Sequence, residues 1–385
     1  MSFSNYSSIG ELSHFFVGQG EMPSASALSQ RRQLLDPDIF KRINNLFVSA
    51  FDDHTTINGY HILAQDGSDV NIPFMDDKTK TEKHDAKSFC QYHVNALYDC
   101  LNKVFYDWSI DAASKKREVN ALISILKDRN YPQNSIFTAD RGYESYNLMA
   151  HFIENDIKFV IRVKDIHTKS GLMTNIKTEE GAFDIRVTRT LTSLQTKEIK
   201  ADKEKYIFVP STSNFDFLDE TRDLYDLSFR AVRFKISEDT YETVVTNLSE
   251  EEFKTEDFKE LYHYRWNEET AFNKLKYTIG LVYFHARKRK LIQQEINAAF
   301  LMYNVSEVII RNIYLKKNKK PELEYDYKPN FSSAVTNIRL YLRKKINMRE
   351  LILRIKKFLV AQRPERSYER NIKGQSCKPL NYRTS

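Results

Sequence analysis

The chain has 385 residues, 41% of them hydrophobic, and a formal net charge of +7. This length and apolar content suffice for one large domain or two to three ordinary ones, so we expect a globular protein. With no run of about 18 apolar residues and no signal-like N-terminus, the sequence predicts a chain that neither spans a membrane nor is exported.

The cysteines argue against two further classes of protein. There are three of them, Cys90, Cys100 and Cys377, and no pair has CxxC spacing. This pattern supports neither a disulfide framework nor a zinc site, and it favours a reducing, cytoplasmic setting.

The positive charge is concentrated at the C-terminal end. Residues 286–385 hold 24 Lys and Arg against 8 Asp and Glu, whereas the first 285 residues hold 35 against 44. The basic runs are RKRK (287–290), KKNKK (316–320), RKK (343–345) and RIKK (354–357). Any one run is typical of a solvated helix face, but their concentration favours a polyanionic partner such as nucleic acid.

In chain order, the elements predict an α/β protein. A helical lead-in at 25–51 precedes the strand YHILAQD (60–66), which is expected to end at a turn formed by Asp66 and Gly67. Further strands are predicted at DVNIP (69–73), QYHVNALYDC (91–100) and KVFYDWSI (103–110), followed by a helix at 117–129. The strand NSIFTAD (134–140) ends at Asp140, a helix follows at 145–156, and KFVIRVK (158–164) is another strand.

The second half changes character twice. Alternating stretches between 165 and 248 predict a β-rich block, and the pattern is helical again from 251, with strong apolar periodicity at 291–313 and 333–360. We therefore expect a β-rich insertion between the sheet and later helices with basic faces.

Two aspartates thus end two predicted strands. In open α/β sheets the ligand crevice lies outside the carboxyl ends of strands, so Asp66 and Asp140 are expected to meet there. Taken alone, Asp66 is more readily explained as a turn residue before glycine, and Asp140-Arg141-Gly142-Tyr143 as a strand-ending turn. Asp69, Asp76 and Asp77 are rival carboxylates near Asp66, and His84, His93 and His285 have no metal-ligand spacing and are assigned no role.

A third carboxylate lies in YHYRWNEETAFNKLK (262–276). On one helix Tyr262, Arg265, Glu269 and Lys276 fall at roughly 0°, 300°, 340° and 320°, so they share a narrow stripe. The stripe borders an apolar arc formed by Leu261, Ala271, Phe272, Leu275 and Ile279. It is either a solvated salt-bridge face or one wall of an anion-handling site; Glu268 falls inside the apolar arc and is unexplained.

Asp66, Asp140 and Glu269 are chemically suited to a pair of hard divalent cations. Mg²⁺ prefers oxygen ligands, and two cations about 4 Å apart can activate the attacking oxygen and stabilise the leaving oxygen of a phosphodiester. Arg265 and Lys276 would keep a neighbouring carboxylate ionised and could hold flanking phosphates.

These motifs resemble the YREK, or insertion-sequence-four, family of bacterial DDE transposases. Its signature Y-x2-R-x3-E-x6-K is present as Tyr262, Arg265, Glu269 and Lys276, and LAQDGSDVNIP and FTADRGYESYNLMAHFIENDIKFVIRVK resemble its two aspartate blocks. With TNL (246–248) and a basic tail (RPERSYER to KPLNYR), the resemblance spans roughly residues 20–383. It implies a ribonuclease-H-like catalytic core with an inserted β-rich domain and helical N- and C-terminal regions.

The resemblance also implies domain boundaries and residue roles. The expected divisions are 1–58 (N-terminal), 59–164 (first part of the core), 165–248 (insertion), 249–310 (rest of the core) and 311–385 (basic C-terminal region). The implied metal ligands are Asp66, Asp140 and Glu269, and the implied DNA-binding residues are Tyr262, Arg265, Lys276 and Arg141.

The activity implied by the resemblance is transposition of a bacterial insertion sequence. Such enzymes cut at terminal inverted repeats and transfer 3′ ends to target DNA with two Mg²⁺ ions, for which Mn²⁺ can substitute. They act as a homodimer in a synaptic complex on double-stranded DNA, here in the cytoplasm at the nucleoid. The alternatives are an inactive or truncated DNA-binding relative and a DNA endonuclease on the same fold.

Overall fold

The computed structural model describes residues 7–18, 20–50, 54–72, 80–81, 89–112, 118–168, 170–237, 240–315 and 326–362. Some sequence features lie outside these ranges: Asp76, Asp77, His84, Cys377, the KKNKK run and the basic tail. Cys90 and Cys100 lie inside them and are both buried.

The described helices and strands follow the predicted order closely. The α-helices are α1 Ser8–Phe16, α2 Ala25–Leu34, α3 Ile39–Ser49, α4 Glu118–Asp128, α5 Tyr146–Glu154, α6 Lys197–Ala201, α7 Asp257–His263, α8 Trp266–Asn273, α9 Arg289–Leu315, α10 Phe331–Leu342 and α11 Met348–Lys357. The strands are β1 His61–Ile72, β2 Lys80–Thr81, β3 Phe89–Asp99, β4 Val104–Ala112, β5 Ser135–Ala139, β6 Lys158–Val163, β7 Phe183–Thr192, β8 Tyr206–Phe208, β9 Leu224–Ser237, β10 Thr240–Thr246, β11 Asp326–Pro329 and β12 Leu359–Gln362.

One large mixed sheet organises the described part of the chain. Its strands lie in the order β2-β3-β1-β5-β6-β10-β9-β7-β8, with β4 also paired to β3. β1, β5 and β6 are mutually parallel, while β1 pairs with β3, and β6 with β10, in antiparallel fashion. The predicted α/β class is therefore confirmed as a mixed α/β fold.

Helices cover both faces of this sheet. Successive side chains of a strand point to opposite faces, and β1 shows this clearly. Ile62 and Ala64 belong to a core cluster shared with α7, α8 and α9, whereas Leu63 belongs to a second cluster shared with α4 and α5. Residues of even number near the end of β1 therefore face the helices that follow position 257.

The predicted turn at Asp66-Gly67 is wrong. β1 runs through both residues to Ile72, because β3 pairs with it from Leu63 to Ile72, with Asp66 opposite Ala96 and Gly67 opposite Asn95. A glycine inside a strand often marks a close approach by another group. Here the group is His93: a methyl group on Gly67 would lie 2.6 Å from its Cε1 atom.

The β-rich block at 165–248 continues the same sheet. β10 pairs with β6 in the first half of the fold, and β9 and β7 extend the sheet beyond it. The boundary predicted at 164/165 thus falls within a continuous hydrogen-bonded sheet, and the five-part division stays a prediction.

A buried ion pair ties this block to the segment that leads into α7. The guanidinium of Arg230 donates to both carboxylate oxygens of Asp184, from Nε at 2.7 Å and from Nη2 at 2.5 Å. Its Nη1 donates to the carbonyls of Ser249 and Phe253, and only 3% of the Arg230 side chain is exposed. Thr255 donates to the same aspartate, so the pair joins β7 and β9 to the chain before α7.

Asp184→Asn is expected to lower the free energy of unfolding by about 3 to 5 kcal/mol, because removing one partner leaves a buried charge uncompensated. Urea unfolding at pH 7 measures this effect. The exposed Asp223→Asn is the matched control and should change stability by less than about 0.5 kcal/mol. Equal effects of the two substitutions would show that the pair is dispensable.

The C-terminal helices form a smaller cluster at the end of α9. The periodic segment at 333–360 contains two helices, α10 and α11, and Lys344 between them has a left-handed backbone (φ 57°). Ile338, Leu351 and Ile355 pack with Ile310 and Ile313 of α9. Among the described residues, no helix has the length and apolar character needed to cross a membrane.

Candidate functional site

Asp66 and Asp140 lie side by side, as predicted. Parallel pairing of β1 and β5 ends with Ala64 opposite Thr138. Asp66 lies two residues after Ala64, and Asp140 lies two residues after Thr138, so the two aspartates have the same register. Because side chains alternate between the faces of a sheet, both point to the same face as Ala64. That face is covered by α7 and α8.

The environment of Asp66 disfavours its charge. Burial, helped by the negative charges of Asp140 and Glu118, outweighs the lowering effects of the Gly67 amide and Arg265 and raises the pKa of its carboxyl group to about 6. The Gly67 amide donates to Oδ1 of Asp66 at 2.8 Å, so one carboxylate oxygen is anchored. A cation bound nearby would stabilise the ionised form of such a carboxylate.

Asp140 ends β5 and caps the short 3-10 helix Arg141–Tyr143. Its Oδ1 accepts a hydrogen bond from the amide of Gly142 at 2.8 Å. Arg141 is exposed at this turn, whereas Tyr143 is fully buried beneath it. Arg141 is therefore accessible to a large ligand at the mouth of the site.

The predicted single motif helix is interrupted twice. α7 ends at His263, α8 begins at Trp266, and residues Lys274–Ile279 form a π-helix. The predicted apolar arc is confirmed, since Leu261, Ala271, Phe272, Leu275 and Ile279 are all buried. Angles based on 3.6 residues per turn do not apply beyond position 273, because a π-helix turns less per residue. Short π-helical segments are frequent at functional sites.

Arg265 is the positive centre of the site. Its side chain is only 5% exposed, and Nη2 lies 3.3 Å from Oε1 of Glu269. Burial alone would lower the pKa of Arg265, but the charges of Tyr262, Asp140, Asp66 and Glu269 together raise it above its usual value. Arg265 therefore balances the carboxylates that converge on it.

Glu268 and Glu269 occupy different environments. Glu269 pairs with Arg265 and is 30% exposed, whereas Glu268 is fully buried. Neither carboxylate oxygen of Glu268 accepts a hydrogen bond of normal geometry in the described structure, although the Asp66 amide is near enough to lower its pKa slightly. Burial, reinforced by Asp66 and Asp140, raises that pKa well above its usual range.

Glu268 is thus a site residue that the sequence reasoning missed. Its only signal was a charged residue inside the apolar arc of the motif segment, where a carboxylate is costly unless a partner compensates it.

Lys276 and Tyr262 have different neighbours: Asp69 for Lys276 and Arg265 for Tyr262. Nζ of Lys276 donates to the backbone carbonyl of Asp69 at 3.0 Å, and burial lowers its pKa despite the nearby Asp69 and Asp66. Tyr262 is 2% exposed, and the guanidinium of Arg265 lies 5.6 Å from its ring centroid. This burial suits Tyr262 to supporting Arg265 more than to touching DNA itself.

A second group of polar side chains adjoins Asp66. His93 is fully buried on β3, with Nδ1 2.6 Å from Oδ1 of Asp69 and Nε2 3.2 Å from Oε1 of Glu118. The sequence predicted no role for His93, because it has no metal-ligand spacing with the other histidines. Pairing of β3 with β1 places His93 opposite Asp69, and α4 contributes Glu118.

The donor set fits a hard divalent cation, although its side chains are not gathered around one point. Among the described residues, no group of three or more His, Cys, Asp or Glu side chains could hold a metal ion as placed. The converging carboxylates, however, are the oxygen ligands that Mg²⁺ prefers. Among the described residues, neither buried oxygen of Glu268 has a hydrogen-bond partner of normal geometry, whereas buried polar atoms normally have one.

Comparison with known proteins supports one family. The model of the transposase DDE domain matches residues 57–305, which include both aspartates and the whole motif segment. Among solved structures, a piggyBac transposase synaptic complex with hairpin DNA is similar at 12% identity and a TM-score of 0.42, over 90% of this chain and 67% of that one. No curated protein matches the chain. Because the matched region covers well over half of the sequence, the chain belongs to the transposase DDE-domain family.

Proposed function

We propose that this protein is a transposase that cleaves DNA at the ends of a mobile element and joins the freed 3′ ends to target DNA. The observation that carries the proposal is the shared register of Asp66 and Asp140 beyond the last β1–β5 pair, beneath Arg265 and the two glutamates of α8. A family model that matches 57–305 supports the same reaction class.

Within the family, the signature formed by Tyr262, Arg265, Glu269 and Lys276 favours the YREK branch of bacterial insertion-sequence transposases. We propose a ribonuclease-H-like core for the β1–β5–β6 sheet with α4, α5 and α8, and an insertion that extends the sheet through β7–β10. The proposed partner is double-stranded DNA, both inverted repeats and target, bound by a homodimer in the bacterial cytoplasm.

The proposed metal ligands are Asp66 and Asp140, with Glu269, or its buried neighbour Glu268, as the third carboxylate. Bound Mg²⁺, or Mn²⁺ in its place, would activate the attacking oxygen and stabilise the departing one. Each aspartate accepts a hydrogen bond from a glycine amide, Asp66 from Gly67 within β1 and Asp140 from Gly142 in the turn after β5. Deprotonation of Asp66 is part of forming this site, since its pKa is raised to about 6.

The cations of the site are proposed to hold the DNA. Arg265 is buried against Glu269 and so can contact a phosphate only at the crevice itself, next to the scissile bond. Exposed Arg141 would contact the backbone at the mouth, and Lys276 would do so on the Asp69 side. Positioned cations of this kind fix register and do not read sequence.

A cleavage assay tests the proposal. Purified protein is incubated with Mg²⁺ and labelled duplex carrying the inverted repeats that flank its gene, using wild type, Asp66→Asn, Asp140→Asn, Glu268→Gln and Glu269→Gln. We expect wild type to nick and join the ends, and both aspartate variants to bind the duplex without cutting it. Glu260→Gln, an exposed change on α7, is the control and should cleave normally.

Each alternative predicts a different pattern. Binding without cleavage by wild type would contradict the enzyme and favour an inactive DNA-binding relative. Cleavage without joined products would favour an endonuclease. If cleavage survives Glu269→Gln but not Glu268→Gln, the third carboxylate is Glu268.

A further inference from the structure

Asp66 and Asp140 have a shared neighbour that the proposed reaction does not use. Glu118, the first residue of α4, places one carboxylate oxygen near Gly67 of β1 and the other near Gly142 of the turn after β5. A methyl group on Gly67 would lie 3.0 Å from Oε1 of Glu118, and a methyl group on Gly142 would lie 3.4 Å from Oε2. The Glu118 carboxylate thus lies between two glycines: Gly67, which directly follows Asp66, and Gly142, which stands two positions after Asp140.

Glu118 is in turn held by a fully buried imidazole. Nε2 of His93 lies 3.2 Å from Oε1 of Glu118, and Nδ1 lies 2.6 Å from Oδ1 of Asp69. The ring of His93 rests on Gly67, since a methyl group there would overlap Nε2 and lie 2.6 Å from Cε1. Because the His93 side chain has no exposed surface, it cannot move aside easily.

The same two glycines anchor the two aspartates. The amide of Gly67 donates to Oδ1 of Asp66 and the amide of Gly142 donates to Oδ1 of Asp140, each at 2.8 Å. Any displacement of either glycine therefore moves a carboxylate oxygen of the proposed metal site. His93 packs on Gly67, and Glu118 packs on both Gly67 and Gly142.

We propose that Asp69, His93 and Glu118, here called the His93 bridge, are positioning residues that hold Asp66 and Asp140 at the separation needed to bind divalent cations. The inference rests on the proposed function, because it assigns the bridge to the metal site of that reaction. Groups that orient metal ligands without touching the metal typically contribute 10- to 100-fold to metal affinity.

Because the His93 bridge is proposed to position the metal ligands, its loss should weaken metal binding beyond any change in fold stability. Mn²⁺ binding to the full chain without DNA is titrated by electron paramagnetic resonance, with thermal unfolding recorded for every variant. His93→Ala and Glu118→Ala are each expected to weaken Mn²⁺ binding about tenfold. Glu118→Gln keeps the shape of the side chain, which is 22% exposed, and guards against a folding defect.

A steric pair tests the contact with Gly67. Gly67→Ala should weaken Mn²⁺ binding because its methyl group displaces the His93 ring. In the double variant Gly67→Ala/His93→Ala the obstructing ring is gone, so affinity should be no weaker than in His93→Ala alone. Gly181→Ala, whose methyl group would meet nothing within 4 Å, is the control.

A second control is a histidine pair away from the site. Nε2 of His151 lies 2.7 Å from Oδ2 of Asp216, and the histidine is 7% exposed. His151→Ala should lower thermal stability and leave Mn²⁺ affinity unchanged. If the His93 and Glu118 variants bind Mn²⁺ as wild type does while Asp66→Asn does not, the bridge proposal is overturned. If Asp66→Asn and Asp140→Asn also bind normally, the proposed metal site itself fails.

Discussion

Asp66→Asn is expected to stabilise the metal-free protein at pH 8 while abolishing its DNA cleavage. Burial, with added repulsion from Asp140, raises the pKa of Asp66 from 3.8 to about 6 in the folded chain. The folded state thus binds this proton more tightly than the unfolded state does. The associated stability is complete below about pH 4 and is lost as the pH rises through 6.

The expected size of this effect follows from the shift. Two pKa units correspond to about 3 kcal/mol, so the asparagine variant should exceed wild type by about 2 to 3 kcal/mol at pH 8 and match it near pH 4. Urea unfolding with a chelator between pH 4 and 8 measures the difference. The amide of Gly67 can still bond to the asparagine oxygen, so the anchor is kept.

Asp184, whose pKa is lowered rather than raised, provides the control. Burial acts to raise the pKa of Asp184, but hydrogen bonds from Arg230 and Thr255 outweigh it and lower the value. Asp184→Asn should therefore destabilise the protein at pH 8, the reverse of Asp66→Asn. If the difference in free energy of unfolding between wild type and Asp66→Asn stays constant from pH 4 to 8, the raised pKa of Asp66 does not explain it.

Arg265→Gln is expected to make folding depend on divalent cations. Without its guanidinium, the site loses the positive charge that balances the carboxylates of Asp66, Asp140 and Glu269. Removing one partner of a buried charge cluster costs about 3 to 5 kcal/mol, so the metal-free variant should lose an amount of this order. Urea unfolding with a chelator and with Mg²⁺ measures both states.

The cation is then expected to replace the lost charge. Mg²⁺ should stabilise Arg265→Gln by more than it stabilises wild type, since a ligand stabilises the state to which it binds. Exposed Arg141→Gln is the matched control: its stability should stay within about 0.5 kcal/mol of wild type with or without Mg²⁺. An Arg265→Gln protein that unfolds identically in chelator and in Mg²⁺ would rule out this exchange of charge.

Together these two predictions imply a site that lowers the stability of the metal-free fold and is stabilised when a cation binds. The buried Glu268, the raised pKa of Asp66 and the buried Arg265 are three signs of the same imbalance. Functional sites commonly retain such unfavourable groups, while the rest of the fold offsets their cost.

Much of the fold could be predicted from local patterns. β5, α5 and β6 match their predicted segments within two residues, because hydrophobic periodicity and turn residues report which face of an element is buried. The adjacent positions of Asp66 and Asp140 were likewise predictable, since both end apolar runs that parallel pairing brings to one edge. The offsets of the motif placed Arg265 and Glu269 one helical turn apart, and the structure pairs them at 3.3 Å.

Other features depended on partners far away in the chain. The Asp66-Gly67 pair has the local character of a turn, yet ten cross-strand residue pairs with β3 keep it in a strand. The His93 bridge joins side chains from β1, β3 and α4, and no spacing within the sequence relates them.

The sequence by itself determined the kinds of elements, the order of the carboxylates and the helical spacing of the motif, because these depend on neighbours within a few residues. Only the tertiary structure decided that Glu268 is buried beside Asp66, that the Tyr262 ring lies next to the Arg265 guanidinium, and that Glu118 lies close to both Gly67 and Gly142. Those placements arise from packing between distant segments, where burial and charge are set by groups that the local pattern does not contain.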